Sequence, residues 1–199
     1  MAFIKFQDVS GAFNSAIEGF GTTDVDQAFE GVEKEIVDWC HEQIELFRKQ
    51  IYDNGSQATG NLQMSMDPLP MKRFGKNYEV QIVGADYWKF LEFGQKGTES
   101  SRKAPNSPFT IKEYPRLEDM VKWTQAKGLR YGKKDVYTFA KFVRKLIWKN
   151  GTYPYPFVQP TLTENRLNDL AQRVADISAE AFVSVLLPKD APRTMKLPK

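Results

Sequence analysis

The residue types best suited to catalysis are Cys40 and His41, which stand next to each other in a chain with one cysteine and one histidine. A thiol beside an imidazole is the arrangement of a cysteine nucleophile and its base. Neighbouring side chains on a helix point about 100° apart, however, so these two groups would not face each other. Cys40 also falls on the apolar side of its segment. We therefore expect a buried Cys40 beside an exposed His41, without a nucleophilic role.

Three carboxylates of the same segment, Asp38, Glu42 and Glu45, have the three- and four-residue spacing that lets helix side chains share a hard cation. The sequence contains no second acidic cluster that would complete such a site. Residues 24–53 carry nine acidic and three basic side chains, a net charge of −6. The favoured interpretation is an acidic helix face that contacts solvent or a partner, and an enzyme is the weakest alternative.

Basic residues concentrate farther along the chain. Residues 102–149 hold thirteen Lys and Arg against four acidic residues, a net charge of +9. Lys141, Lys145 and Lys149 are four residues apart and form one stripe on a helix. Three interpretations stay open: contact with DNA phosphates, a solvated helix face, or contact with an acidic protein surface such as that of a neighbouring copy. The candidate residues are Arg102, Lys103, Arg130, Lys133, Lys134, Lys141, Arg144, Lys145 and Lys149.

Several function classes are disfavoured by what the sequence lacks. The motifs G-x-x-x-x-G-K-[ST], G-x-G-x-x-G and G-x-S-x-G do not occur, so we expect no enzyme, no cofactor and no metal site. No apolar run reaches the ~18 residues of a membrane-spanning helix, and the N-terminus is too short and polar for a signal peptide. With 199 residues, 41% of them hydrophobic, the chain is expected to be soluble, made in a reducing cytoplasm, and large enough for one domain.

The spacing of apolar residues predicts an α+β fold. Long N-terminal and C-terminal helices are expected to pack on a small antiparallel sheet, with a helix pair inserted at residues 111–150. The expected organisation is an N-terminal arm (1–22), one domain (23–187) and an extended basic tail (188–199). Alternating apolar residues predict strands over residues 62–66 and 78–82. Helices are predicted over residues 24–53, 87–93, 117–128 and 136–150, and from a capping box at 161–164 onwards.

Three short segments, in this order and spacing, resemble a known family. They are Thr59-Gly60-Asn61-Leu62, then Asp86-Tyr-Trp-Lys-Phe-Leu-Glu-Phe-Gly94, and finally Pro156-Phe-Val-Gln-Pro160 before the last helix. The pattern resembles the tail-completion, or neck, family of long-tailed bacteriophages, which includes minor tail protein Z-like proteins. The resemblance covers roughly residues 24–187, and Gln159 stands where family members often have Arg.

The resemblance implies a non-enzymatic virion protein, assembled in the host cytoplasm. Copies would form a homo-oligomeric ring, a head–tail connector at the neck where the DNA-filled head meets the tail. The implied partners are other copies of the chain and the portal-side connector, the tail terminator or the tail tube, with DNA passing through the lumen. A DNA-binding module that uses residues 102–149 is the alternative function.

Two further expectations concern the segment from Pro156 to Pro160 and the N-terminal arm. Pro156 and Pro160 fix the local backbone, so Phe157 is expected to fill the core before the last helix. The aromatic residues of the N-terminal arm are expected either to dock on a neighbouring subunit or to form a small helix with its own core. The arm residues considered for docking are Phe3, Phe6 and Phe13.

Overall fold

The computed structural model describes residues 2–5, 22–56, 60–74, 77–129 and 135–186. The chain divides into two compact units that interleave along the sequence. The first unit comprises Met1–Phe3, Gln43–Asp67 and Val83–Leu162, and the second comprises Ile4–Glu42, Pro68–Ile82 and Thr163–Lys199. Helices dominate and the strands are short, so the predicted α+β class is confirmed. Phe6, Phe13 and the tail at 188–199 lie outside the described residues.

Helix α1 covers Thr22–Asp53 and contributes residues to both units. Its buried side chains recur every three or four positions, as an amphipathic helix requires. Gly55 ends the helix in the left-handed region, with φ of 62°, and the Ser56 N–H donates to the carbonyl of Ile51. The buried apolar residues are those of the apolar pattern in the sequence, and the polar Gln43 is buried as well; the apolar ones are Val32, Ile36, Trp39, Cys40, Ile44, Phe47 and Ile51.

The strands are two to four residues long. β1 (Ala2–Lys5), β5 (Gln81–Val83) and β2 (Asp67–Pro68) are neighbours in that order in a three-stranded sheet. β3 (Lys72–Phe74) and β4 (Asn77–Glu79) form an antiparallel pair in which Lys72 lies opposite Glu79. The strand predicted over 78–82 is therefore divided between β4 and β5, on either side of Val80.

The strand predicted over residues 62–66 is wrong, because this segment contains the short helix α2, Asn61–Met64. Leu62 and Met66 are buried, while Met64 between them is 72% exposed. Residues four apart share a face in a helix as well as in a strand, so only Met64 distinguishes the two structures. Arg48 also contributes to the conformation of this segment, because its guanidinium donates hydrogen bonds to the carbonyls of Gln63 and Met66.

The remaining helices are α3 (Trp88–Phe93), α4 (Leu117–Ala126), α5 (Val136–Asn150) and α6 (Glu164–Leu186). The first three agree with the predicted helices, and α4 packs against α5. Asp135 caps α5 by accepting the Thr138 N–H at 2.7 Å, which lowers the pKa of Asp135. Among the helices whose residues are described, none combines the length and the hydropathy that crossing a lipid bilayer requires.

Candidate functional site

The first unit contains a buried carboxylate that joins two distant parts of the chain. Glu92, near the end of α3, is only 3% exposed and lies against the backbone of residues 157–159. Its Oε2 accepts the N–H groups of Phe157 at 2.7 Å and Val158 at 2.9 Å, and its Oε1 accepts that of Gln159 at 3.0 Å. A buried charge is tolerated where its lone pairs are satisfied in this way. We call Glu92 together with residues 157–159 the Glu92 junction.

Phe157 carries the apolar half of this junction. Its ring is fully buried and meets Phe47 of α1 edge to face, with centroids 5.6 Å apart. The carbonyl of Phe157 accepts the hydroxyl of Thr161 at 2.6 Å, which tightens the turn that leads toward α6. The prediction that Phe157 fills the core is confirmed. Pro156 and Pro160 are exposed, and the Pro156 carbonyl accepts a hydrogen bond from the Asn54 side chain.

The polar segment after α3 closes on the backbone that follows α5. Gln95 and Thr152 exchange backbone hydrogen bonds, and a Cβ added to Gly151 would lie 2.0 Å from the Gln95 carbonyl oxygen. Gly151 also has φ of 74°, which favours glycine. The N–H groups of Thr98 and Glu99 donate to the last carbonyls of α5 at 2.9 and 3.0 Å. This loop therefore caps the C-terminus of α5 and fixes its direction.

Of the six predicted basic residues within the described ranges, Lys103, Arg144 and Lys149 have side chains that bond to other parts of the chain. Lys149 pairs with Glu99 at 2.7 Å, and the Arg144 guanidinium lies 4.1 Å from the Tyr114 ring centroid and donates to the carbonyl of Pro115. Lys103 donates to the Gly151 carbonyl at 3.2 Å. The residues that stay exposed are Arg102, Lys141 and Lys145, while Arg130, Lys133 and Lys134 lie outside the described residues.

The predicted acidic face belongs largely to ion pairs. In the second unit, Glu42 accepts hydrogen bonds from Arg166 and Arg173 at 3.3 and 3.0 Å, and Arg173 also pairs with Glu35 at 3.1 Å. The Arg173 hydrogen bond holds the pKa of Glu42 below its ordinary value. We call these residues, with Asp169, the Arg173 ion-pair array.

The other two predicted acids differ from each other. Glu45 pairs with Arg48 three residues on, at 2.6 Å, whereas Asp38 is exposed and has no ion-pair partner among the described residues. Cys40 is buried and burial raises the pKa of its thiol to about 12, while His41 is exposed, as expected. Within the described ranges, no group of three or more His, Cys, Asp or Glu side chains is placed to hold a metal ion.

Glu92 is the principal residue that sequence reasoning missed. The sequence does contain a hint of this buried role. Glu92 is one of two charged residues in the aromatic stretch at 87–93, where a solvent-exposed side chain is not expected. Ser107 was also missed: its buried hydroxyl donates to the Gly94 carbonyl at 2.8 Å and accepts the N–H of Phe109. Its position in a loop rich in Ser and Pro gives no such signal.

Two of the three segments that carry the family resemblance meet at the Glu92 junction. In the remaining segment, Thr59 lies outside the described residues, while Gly60 has φ of 76° and leads into α2, where Leu62 is buried. Comparison of this chain with protein families, curated proteins and solved structures finds no match. A functional assignment therefore depends on the chain's own residues and their contacts.

Proposed function

We propose that this chain is a structural protein of a tailed-bacteriophage virion, a ring-forming neck or tail-completion subunit that joins the DNA-filled head to the tail. The observation that supports this proposal is the Glu92 junction. It brings together the two longest segments of the resemblance through contacts of the Glu92 carboxylate. A glutamate whose two oxygens both accept backbone N–H groups organises structure, and the three hydrogen bonds occupy most of the acceptor capacity of its carboxylate.

The finer architecture is part of this proposal. The long helices α1 and α6 would pack on the small sheet, and α4 and α5 would form an inserted pair within one domain of residues 23–187. Strand β1, which contains Phe3, pairs with β5 of the same chain, so the rest of residues 1–22, together with residues 188–199, would contact neighbouring subunits in the ring. A closed ring needs a heterologous interface, in which two different surfaces of the same chain meet.

The test is electron microscopy of a lysate from a phage that lacks this gene. The expected result is DNA-filled heads and finished tails lying apart, and joined particles once the wild-type gene is supplied on a plasmid. Normal infectious particles from the deletion strain would contradict the proposal. DNA binding by residues 102–149 would then become the function to test.

A point variant sharpens this experiment. Plasmid-borne Glu92→Gln should restore fewer joined particles than wild type, because the amide group cannot accept all three backbone N–H groups. The matched control is Glu113→Gln, which removes an exposed carboxylate from the same unit. Equal restoration by both variants would show that the Glu92 junction is not needed for assembly.

A further inference from the structure

The chain contains two Asn-Gly sequences, Asn54-Gly55 and Asn150-Gly151. Asparagine is most prone to deamidation when glycine follows it, because the next backbone nitrogen attacks the side-chain carbonyl carbon and glycine has no Cβ to hinder the approach. Each pair stands at the C-terminal end of a long helix, α1 or α5. The sequence therefore gives the two asparagines the same reactivity, and only their surroundings distinguish them.

Deamidation has two steps. In the first, the glycine backbone nitrogen loses its proton to hydroxide and forms a bond to Cγ of the asparagine. The bond between Cγ and Nδ2 breaks, and Nδ2 takes a proton from water and leaves as ammonia, which regenerates the hydroxide. In the second step, water adds to either carbonyl of the resulting cyclic imide and opens the ring to aspartate or isoaspartate. The net reaction consumes water and releases ammonia.

The Asn54-Gly55 pair lies at an exposed helix end. Helix α1 ends at Asp53, so Asn54 is outside it. Gly55 is exposed, and no atom of a described residue beyond its chain neighbours lies within 4 Å of the position that a Cβ would take. The Gly55 N–H donates to the carbonyl of Tyr52 at 2.9 Å, and Tyr52 is itself 70% exposed. Terminal helix turns open locally at little cost in free energy, and each opening releases this N–H.

The side chain of Asn54 is held by two hydrogen bonds near the surface. Its Nδ2 donates to the Pro156 carbonyl at 2.9 Å, and its Oδ1 accepts from the Gln50 side chain at 3.2 Å. The bond to Pro156 is exposed, so water can replace it at little cost in free energy. The side chain is then free to turn its Cγ toward the Gly55 nitrogen.

The Asn150-Gly151 pair has the opposite surroundings. Asn150 is the last residue of α5, and a helical side chain is tilted toward the helix N-terminus, away from the nitrogen that follows it. Gly151 is buried, and its N–H donates to the carbonyl of Ile147 at 2.8 Å. Gln95 and Thr152 exchange backbone hydrogen bonds beside it. Freeing the Gly151 nitrogen therefore requires several buried contacts to separate together.

We propose that Asn54 is a site of spontaneous deamidation in the folded protein, and that the fold protects Asn150 from the same reaction. This inference holds whether or not the chain is a virion protein. The product carries a carboxylate where Nδ2 donated to the Pro156 carbonyl, so two oxygen atoms replace a donor and an acceptor. The new negative charge also lies at the C-terminus of α1, where the helix dipole disfavours anions. Deamidation therefore weakens the contact between the end of α1 and the residue before the Glu92 junction.

The experiment is peptide mapping by mass spectrometry of purified full-length protein, incubated at mildly alkaline pH to deprotonate the backbone nitrogen. The deamidated peptide that contains residue 54 should accumulate at least about ten-fold faster than the one that contains residue 150. The matched control is the same protein in concentrated urea, where both pairs lie in unfolded chain and should react within about three-fold of each other. Equal rates at the two positions in the folded protein, or reaction at neither, would overturn the inference.

Two variants connect the reaction to Asn54 and to its contact with Pro156. Asn54→Gln should remove the deamidated form at this position, because a glutamine side chain would have to close a larger ring. Asn54→Asp carries the aspartate product from the start. It should elute from an ion-exchange column with the acidic fraction of aged wild-type protein, and both should melt below the unmodified protein. A wild-type melting temperature for Asn54→Asp would overturn the inferred loss of the Pro156 contact.

Discussion

The Glu92 junction and the Arg173 ion-pair array use carboxylates in opposite ways. In the junction, one glutamate is removed from water and both of its oxygens are satisfied by three backbone N–H groups. In the array, Glu35, Glu42 and Asp169 share one guanidinium and remain partly hydrated. Buried charge-assisted hydrogen bonds contribute far more to stability than exposed ion pairs do. The effect of an acidic residue therefore depends on its burial and partners.

The net charge of a sequence segment likewise does not give the charge of the surface that the segment forms. Residues 24–53 and 102–149 carry net charges of −6 and +9, which suggests two strongly charged faces. In the structure, many of these charges meet groups within the chain, as Lys149 does with Glu99. Glu92, the only charged side chain that is buried among the described residues, belongs to neither segment. Four variants test this comparison.

The largest effect is expected from Phe157→Ala, which empties the apolar half of the Glu92 junction. The ring is fully buried and packs on Phe47, so its loss should lower the free energy of unfolding by about 3–5 kcal/mol. Urea unfolding followed by circular dichroism measures the change. Tyr155→Ala, an exposed aromatic two residues earlier, should cost less than about 0.5 kcal/mol. A melting temperature of Phe157→Ala within a degree or two of wild type would contradict the placement of Phe157 in the core.

The second-largest loss of stability is expected from Gly151→Ala, which tests the close backbone contact between Gly151 and Gln95. The new Cβ would meet the Gln95 carbonyl oxygen at 2.0 Å, and φ of 74° is strained for alanine. Together these effects should cost about 2–4 kcal/mol. Gly128→Ala is the matched control, because Gly128 has φ of 63° but open space around it, so about 1 kcal/mol is expected. Equal losses of stability for the two variants would mean that the backbone at Gln95 and Gly151 can move apart without destabilising the fold.

Glu92→Gln probes the polar half of the junction directly. The amide keeps the shape of the side chain but replaces one acceptor oxygen with a donor, so at least one buried N–H group loses its partner. We expect a loss of about 1.5–3 kcal/mol at neutral pH. Glu45→Gln, which removes an exposed carboxylate paired with Arg48, should cost at most about 1 kcal/mol. Similar losses for the two variants would remove the distinction between buried and exposed carboxylates.

Local periodicity predicted the helices and the buried stripe of α1, since Ile44, Phe47 and Ile51 follow the pattern of the sequence. It failed at residues 62–66, because alternation and helical spacing coincide for Leu62 and Met66. The Arg48 contacts that favour helix there come from fifteen and eighteen residues away. Sequence spacing cannot reveal an interaction of this kind.

The candidate site was only partly predictable for the same reason. Phe157 was placed in the core because its flanking prolines and apolar character act locally. Glu92 was missed because its partners are backbone N–H groups 65 to 67 residues away, which have no side-chain signature. Lys149 was assigned to an exposed stripe because helical spacing places it there, and its pairing with Glu99 depends on how the loop closes.

The smallest effect is expected from Arg173→Gln, in the exposed ion-pair array. The Arg173 hydrogen bond lowers the pKa of Glu42 from its ordinary 4.5, so the pair stabilises the fold above that pH and loses this contribution as pH falls through the lowered value. The variant should lose at most about 1 kcal/mol at pH 7, since these side chains are partly exposed, and the loss should be smaller at pH 3. Urea unfolding at both pH values measures this difference, with Arg102→Gln, an exposed arginine, as the control that should change at neither. A loss at pH 7 as large as that of Glu92→Gln would mean that the array is as well shielded from water as the junction. A loss as large at pH 3 as at pH 7 would show that Arg173 stabilises by packing its stem and not through Glu42.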